Sequence, residues 1–151
     1  MFVGIGSVIN VYMLPKCTLV RRLTRHRSNL ASLSVTSNYL ISIDQTRNLI
    51  IWDSRFRVVH EIKNETFCVG QVPVCANEKV VAAQSGDHSI LLLDPSNWSE
   101  RRSLSAKNKS VNALDISDRY LLAGGYDCLE AWDLNSFAKV REIATQKWPG
   151  Y

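Results

Sequence analysis

The clearest repeated unit of the chain is Leu49-Ile50-Ile51-Trp52-Asp53. Three other segments match its first four positions: Ile9-Asn10-Val11-Tyr12, Ile90-Leu91-Leu92-Leu93 and Leu129-Glu130-Ala131-Trp132. The last residues of the four segments lie 40, 41 and 39 positions apart, and an aspartate follows three of them, at Asp53, Asp94 and Asp133. Self-similarity at a fixed period of about 40 residues predicts a repeat architecture.

Short apolar and alternating stretches recur in step with this unit. An apolar pair comes before each segment: Phe2-Val3, Leu40-Ile41, Val80-Val81 and Leu121-Leu122. An alternating stretch comes after each, ending at Leu23, Ile62, Leu104 and Ile143, and another begins near Leu30, Val69 and Val111. Alternation in short pieces bounded by Ser, Asn, Asp and Gly predicts strands joined by tight turns. The chain is therefore predicted to be all-β, with four strands per repeat.

This pattern resembles the WD-repeat family of β-propellers, because Trp52-Asp53 and Trp132-Asp133 close the third strand of a repeat of about 40 residues. The resemblance covers essentially the whole chain. It implies blades of four antiparallel strands, from an inner strand a to an outer strand d. Residues 1–151 are then one incomplete, open propeller fragment, with a partial blade at 1–23 that starts at strand b and blades at about 29–62, 67–104 and 110–143. Pro73 falls in an inner edge strand, where a missing N–H is tolerated.

The resemblance also implies a structural polar network in each blade: a His before strand a, a Ser or Thr on strand b, an Asp in the b–c turn and the Trp of strand c. The second blade offers His26, Ser42 and Trp52, with Thr46 at the Asp position. The third keeps Asp87 but has Glu65 and Leu93 at the His and Trp positions, and the fourth has Asp127 and Trp132 with Lys107 for His. We expect Asp53, Asp94 and Asp133 to complete this structural set. Such networks satisfy buried polar groups, so their partial loss indicates looser blades.

Residues suited to catalysis or metal binding are sparse. The histidines are His26, His60 and His88, and none is paired with a nucleophile in a recognisable motif. The cysteines Cys17, Cys68, Cys75 and Cys128 are separated by 51, 7 and 53 residues, which does not provide the close pairs that zinc sites use. We therefore predict no enzyme activity, no metal and no cofactor. Reduced thiols indicate a cytoplasmic or nuclear protein.

Positive charge is concentrated near the N-terminus. The chain has a net charge of +4, whereas residues 1–43 carry five cationic side chains and no carboxylate. Such a segment is also typical of a mitochondrial presequence, although here the first 14 residues follow the repeat pattern. No apolar run approaches the roughly 18 residues that cross a bilayer, so no membrane insertion is expected.

The basic segment Arg21–Arg27 supports two interpretations. It could bind the phosphates of nucleic acid or of a phosphoinositide, or a phosphorylated or acidic peptide. Alternatively, its charge protects an outer strand edge from pairing with another chain. The segment lacks interleaved aromatic residues for stacking on bases, which favours the second interpretation.

The WD-repeat resemblance implies a non-catalytic scaffold for protein–protein interaction that binds other proteins through loops on one propeller face. The d–a and b–c loops on that face are Arg25–Asn29, Gln45–Asn48, Lys63–Thr66, Ser85–Ser89, Ser105–Lys109 and Tyr126–Cys128. Within them, Arg25, Arg27, Arg47 and Tyr126 are the candidate partner-binding residues. The alternative function is a nucleic-acid- or phosphate-associated propeller that uses Arg21–Arg27.

Three whole blades and a partial one would form an open arc, because propellers close with about 4–8 blades. Exposed apolar faces at the ends of such an arc favour association. We expect these residues to belong to a larger propeller or to close a ring with another chain, self-association included. The alternative is a monomer in which residues 147–151 fold back over one open face.

Overall fold

The structure consists of β-strands and connecting turns. It is a computed structural model that describes residues 1–63, 71–85, 88–107 and 110–144. Within these ranges there is no helix, and hence none that could cross a membrane. The strands are β1 (Phe2–Ile5), β2 (Val8–Met13), β3 (Thr18–Leu23), β4 (Leu30–Val35), β5 (Tyr39–Asp44), β6 (Leu49–Asp53), β7 (Val58–Ile62), β8 (Val74–Ala76), β9 (Val81–Gln84), β10 (Ser89–Leu93), β11 (Glu100–Ser105), β12 (Val111–Ile116), β13 (Tyr120–Gly125), β14 (Cys128–Asp133) and β15 (Lys139–Ala144).

The strands form four antiparallel sheets, in each of which sequence neighbours pair. The first sheet has three strands (β1 to β3), and the second (β4 to β7), third (β8 to β11) and fourth (β12 to β15) have four each. The predicted all-β fold of four-stranded units is therefore confirmed. The described sheets follow one another without closing into a ring.

The repeated unit lies on the strand before the outermost one in every sheet. That strand is β2, β6, β10 or β14, and its pairing with the outer strand shifts register at one equivalent point: Val11/Tyr12, Ile51/Trp52, Leu92/Leu93 and Ala131/Trp132. A bulge at a repeated position bends and twists each sheet in the same way. Trp52 and Trp132 therefore occupy equivalent places.

The core lies between successive sheets, so the inner strands are buried on both faces. In the second sheet, Leu40 and its cross-strand partner Trp52 face the first sheet. Ile41 and its partner Ile51 face the third sheet and have no exposed surface. Burial on both faces accounts for strands that are continuously apolar instead of alternating.

The first two sheets approach closely at Gly4. A Cβ atom at this position would lie 3.0 Å from Leu30 Cδ1 of the second sheet. A larger side chain would therefore require the Leu30 side chain to shift, and the glycine in β1 avoids this tight contact.

The third sheet begins later than predicted. Strand β8 starts at Val74, so Pro73 precedes the strand instead of lying within it. The Pro73 carbonyl accepts a hydrogen bond from the Gln84 amide at 3.2 Å. The predicted beginning near Val69 lies outside the described residues.

Candidate functional site: the loop face of the sheets

A buried chain of hydrogen bonds links four side chains of the second sheet. The Trp52 indole Nε1 donates to Ser42 Oγ at 2.9 Å, and Ser42 Oγ lies 2.7 Å from His26 Nε2. On the other side of the ring, His26 Nδ1 lies 2.8 Å from Asp44 Oδ2. Because a carboxylate only accepts, Nδ1 carries the hydrogen and Nε2 accepts from the Ser42 hydroxyl. The network fixes the loop that contains His26 to β5 and β6.

The acidic member of this network is Asp44, and the prediction that Thr46 occupies its position was wrong. Asp44 ends β5 and is completely buried. Thr46 instead donates to Asp44 Oδ1 through both its amide, at 2.9 Å, and its hydroxyl, at 2.6 Å. The carboxylate therefore comes from the end of the strand, and the following turn folds around it.

Burial determines the protonation of this network. It holds the pKa of His26 below its ordinary value, although the hydrogen bond and the charge of Asp44 act in the opposite direction. Burial also acts to raise the pKa of Asp44, but hydrogen bonds led by that from Thr46 outweigh it, and the pKa lies below its ordinary value. The group is thus a neutral imidazole beside a stabilised carboxylate, with both ring nitrogens bonded inside the protein.

The fourth sheet keeps the tryptophan but replaces the rest of the network with ionic groups. Glu130 is fully buried and accepts from the Lys107 backbone amide at 2.9 Å, while Lys139 Nζ forms an ion pair with it. The Lys139 ammonium also lies 5.6 Å from the centre of the Trp132 ring. Lys107 Nζ bonds Glu142 at 2.5 Å, and this bond holds the pKa of Glu142 below its ordinary value. Lys107, at the position where the family pattern has His, therefore also forms hydrogen bonds within the sheet, through its backbone amide and its ammonium group instead of an imidazole ring.

The third sheet has an apolar surface at the equivalent positions. Ala83 and Leu93 are buried where the second sheet has Ser42 and Trp52. Asp87, predicted for this network, lies outside the described residues. Asp127 is described, in the turn between β13 and β14, and its place in a network stays a prediction.

Asp53, Asp94 and Asp133 stabilise the turns at the opposite edge of the sheets. Their Oδ1 atoms accept backbone amide hydrogen bonds at 2.8–2.9 Å, from Arg55 and Arg57, from Ser96, and from Asn135 respectively. Asx turns of this kind satisfy the turn backbone locally. Hydrogen bonds from these turns hold the pKa of Asp53 and of Asp94 below its ordinary value. At Asp133 the largest cause of the lowered pKa is the hydrogen bond from the Arg119 side chain, and hydrogen bonds from the turn add to it.

Each of these turns also presents an aromatic residue in the left-handed backbone region. Phe56, Trp98 and Phe137, called here the turn aromatics, have φ angles of 61°, 61° and 56°. Each reaches back to the preceding sheet: Phe56 to Phe2 at 6.1 Å between ring centres, and Trp98 to Tyr39 at 4.7 Å. We did not predict this role, although an aromatic three or four residues after each aspartate was a readable signal.

On the loop face, a polar pocket of about 370 Å³ opens between the loop after β3 and the turn after β5. We call it the loop pocket; it is lined by Arg25, His26, Arg27, Ser28, Asp44, Thr46, Asn48, Ile50, Glu61 and Lys63. Arg25 is 55% exposed and its guanidinium contacts Glu61 Oε2 at 2.8 Å. Arg27 and Lys63 are exposed and have no ion pair with the described residues.

The other two predicted contact residues do not join this pocket. Arg47 is buried, with 6% exposure and a φ of 62°, and its predicted role in partner binding stays a prediction. A residue in a turn can be buried when the turn packs against a neighbouring loop. Here the backbone amide of Gln45, in the same turn as Arg47, donates a hydrogen bond to the Asn29 carbonyl of the loop before β4. Tyr126 is 80% exposed but lies in the turn of the fourth sheet and does not line the loop pocket.

Metal-ligating side chains do not cluster among the described residues: no three His, Cys, Asp or Glu side chains there could hold a metal ion. Cys75 and Cys128 are buried thiols, and Cys17 is exposed. Burial raises the pKa of Cys75 to about 12, so this thiol is not a nucleophile.

The fold of the chain is that of WD-repeat β-propeller blades. It superposes on the structure of U3-55K with a TM-score of 0.80 at 16% identity, over 92% of this chain and 46% of that chain. It superposes on a chain of the mitotic checkpoint complex crystal structure with a TM-score of 0.83 at 16% identity, over 97% of this chain and 48% of that one. The chain therefore spans about half the length of these propellers. No family model and no curated protein sequence matches it.

Proposed function

We propose that this chain is a non-catalytic scaffold that binds an acidic or phosphorylated segment of a partner protein at the loop pocket. The observation that carries the proposal is the charge at the rim of that pocket. Arg27 and Lys63 are exposed cations without a described counterion, whereas the carboxylates of the pocket, Asp44 and Glu61, are already bonded to its own residues. A bound carboxylate or phosphate would compensate these charges.

The pocket also offers directional donors to such a group. About half of the Arg25 side chain is exposed while Glu61 fixes its orientation, and guanidinium forks bind carboxylate and phosphate in a bidentate manner. Ser28 and Asn48 also line the pocket, whereas the Thr46 hydroxyl is already bonded to Asp44. The loops that hold these donors are fixed by the buried network below them, which reduces the entropy lost on binding.

The same network argues for a structural role over a catalytic one. Ser42, His26 and Asp44 are connected in the order found in serine hydrolases. Ser42 Oγ, however, is fully buried and already accepts from the Trp52 indole, so it is not accessible to a substrate carbonyl. We infer a scaffold of the cytoplasm or nucleus, in which the free thiols stay reduced.

The proposal is tested with the double variant Arg25→Ser plus Arg27→Ser. A fluorescent peptide of eight glutamates, and the same peptide carrying phosphoserines, should bind the parent chain and lose at least about tenfold in affinity on the variant. The matched control is Lys16→Ser plus Arg55→Ser, which removes two exposed charges at the opposite edge and should bind like the parent. Equal loss in both variants, or none in either, contradicts a specific site at the loop pocket.

A nucleic-acid function is the second candidate, favoured by Arg22, Arg25 and Arg27, which are all exposed. Arg21 is partly committed, because its guanidinium lies 5.8 Å from the Phe56 ring. Binding to single-stranded RNA with a steep salt dependence, and without preference for the acidic peptides, would favour this candidate.

A further inference from the structure

The loop between β3 and β4 carries a serine on the wall of the loop pocket. Ser28 lies in a bend of this loop, is partly exposed and lines the pocket. Its hydroxyl forms no hydrogen bond with the described residues, whereas the Thr46 hydroxyl of the same pocket is bonded to Asp44 at 2.6 Å. Ser28 therefore presents an uncommitted hydroxyl to the pocket.

This hydroxyl shares the pocket with unpaired cations. Arg27 and Lys63 line the same wall and have no ion pair with the described residues. Arg25 also lines it, and its guanidinium is paired with Glu61 at 2.8 Å. The two unpaired side chains carry one positive charge each, and a phosphate monoester carries about −1.5 to −2 at neutral pH. A phosphate attached to Ser28 would therefore balance the charge that the pocket leaves uncompensated.

The sequence before Ser28 has the pattern that arginine-directed protein kinases select. Arg25 precedes Ser28 by three residues, and carboxylates in the substrate groove of such kinases bind an arginine at this distance. Residues 24–29 form neither helix nor strand, so this segment can adopt the extended conformation that the groove binds. All of residues 25–29 except His26 are at least partly exposed. We therefore expect phosphorylation to follow a transient release of His26 from its buried network.

We propose that Ser28 is a phosphorylation site for an arginine-directed protein kinase, and that its phosphate binds Arg27 and Lys63 and closes the loop pocket to an acidic partner segment. The kinase transfers the γ-phosphoryl group of ATP to Ser28 Oγ. A new O–P bond forms, the bond between the γ-phosphorus and its bridging oxygen breaks, and ADP and the hydroxyl proton are released. The closure rests on the proposed function, because the phosphate and the partner compete for the same cations.

Thr24 is a competing acceptor in the same loop, since Arg21 precedes it by three residues. Thr24 is exposed but is not among the residues that line the loop pocket. We therefore expect a phosphate on Thr24 to leave the pocket open. The experiments below separate the two residues.

Phosphorus NMR tests the binding of the phosphate without any partner. The full chain is produced with phosphoserine incorporated at position 28 by codon suppression. The second pKa of phosphoserine is ordinarily about 6. Arg27 and Lys63 stabilise the dianion, so this pKa should fall by about 0.5 or more, and Arg27→Ser plus Lys63→Ser should restore it. The control is phosphoserine at position 99, which is exposed in a turn at the opposite edge and is followed by Glu100. Its pKa should not be lowered.

The other ionisable groups of the pocket are His26, Asp44 and Glu61. The two carboxylates act to raise the pKa of the phosphate, but Asp44 is bonded to His26 and Glu61 to Arg25, each at 2.8 Å. Burial holds the pKa of His26 below its ordinary value, which favours the neutral ring during the titration. The unpaired cations should therefore dominate. An unshifted phosphate pKa at position 28, or an equal shift at position 99, would overturn the proposal.

The second experiment tests the modification and the closure. The catalytic subunit of cyclic-AMP-dependent protein kinase, with ATP, should phosphorylate Ser28 in the full chain, as mapped by fragment-ion mass spectrometry. The treated chain should lose at least about tenfold in affinity for the fluorescent peptide of eight glutamates. The same treatment should leave the affinity of Ser28→Ala unchanged, even where Thr24 is labelled.

The outcomes of this experiment separate the two proposals. Absence of phosphate on Ser28, or an equal loss of affinity in treated Ser28→Ala, would overturn the phosphorylation switch. Failure of the peptide to bind the untreated chain would contradict the proposed function and, with it, the closure of the pocket. The phosphorus titration would in that case still confirm or refute the binding of the phosphate by Arg27 and Lys63.

Discussion

His26 Nδ1 lies 2.8 Å from Asp44 Oδ2, and both side chains are almost completely buried. This contact joins a loop that follows the first sheet to the second strand of the second sheet. It ties the orientation of the loop pocket to the core, since His26 and Asp44 line that pocket while Ser42 and Trp52 anchor them from below. Substitutions in the network should therefore affect stability first and binding second.

The first prediction concerns pH. The pKa of His26 in the folded chain lies below the ordinary value of 6.5, so below about pH 6.5 the unfolded chain takes up a proton that the folded chain does not. The free energy of unfolding should therefore fall as the pH decreases from 7.5 to 5.5. His26→Gln should be less stable at pH 7.5 but should lose much of this pH dependence, as measured by urea unfolding. His88→Gln, at an exposed position, is the control, and a full slope in His26→Gln would contradict the prediction.

The second prediction concerns Ser42→Ala. The variant removes the acceptor of the Trp52 indole and the donor to His26 Nε2, and leaves both buried groups without these partners. The expected loss in free energy of unfolding is about 1–3 kcal/mol at unchanged urea m value. Ser103→Ala, exposed on β11, should cost less than about 0.5 kcal/mol. Similar losses of free energy of unfolding in Ser42→Ala and Ser103→Ala would show that the hydrogen bonds of Ser42 do not contribute to stability.

Sequence alone predicted the parts of this molecule that depend on period. The spacing of Trp52 and Trp132 predicted the equivalent strands, because the positions of repeated strands can be read from the sequence without knowing which sheet packs against them. Of the residues that the resemblance singled out, His26 and Trp52 both lie within hydrogen-bonding distance of Ser42 in the structure.

Contacts that depend on cross-strand register were not predictable. Asp44 and Thr46 are two residues apart, and only the place where β5 ends decides which carries the acceptor for His26. Glu130 and Lys139 come together because β14 and β15 pair with a bulge between them. The turn aromatics were missed because the offset from the aspartate is three residues at Phe56 and four at Trp98 and Phe137, which obscures the alignment.

The third prediction concerns the buried ion pair of the fourth sheet. Lys139→Met leaves the buried Glu130 carboxylate without its ammonium partner, which should cost on the order of 2 kcal/mol because Lys139 is itself one-third exposed. The double variant Glu130→Leu plus Lys139→Met removes both charges and should be more stable than Lys139→Met alone. Urea unfolding of the four members of this cycle measures the coupling. A double variant that is the least stable of the four would contradict the argument.

The last prediction concerns backbone strain at the turn aromatics. Trp98 has a φ of 61°, a region that costs a residue with a Cβ roughly 1 kcal/mol and costs glycine nothing. Trp98→Ala and Trp98→Gly both lose the ring contacts with Tyr39 and His60, but only the glycine variant relieves the backbone. We therefore expect Trp98→Gly to be more stable than Trp98→Ala by about 0.5–1 kcal/mol, the reverse of the usual order. The matched pair is Val59→Ala and Val59→Gly at an exposed position of β7, where the glycine variant should be the less stable one. If the alanine variant is the more stable at both sites, the left-handed turn does not carry the strain assigned to it, and the turn aromatics act through their ring contacts alone.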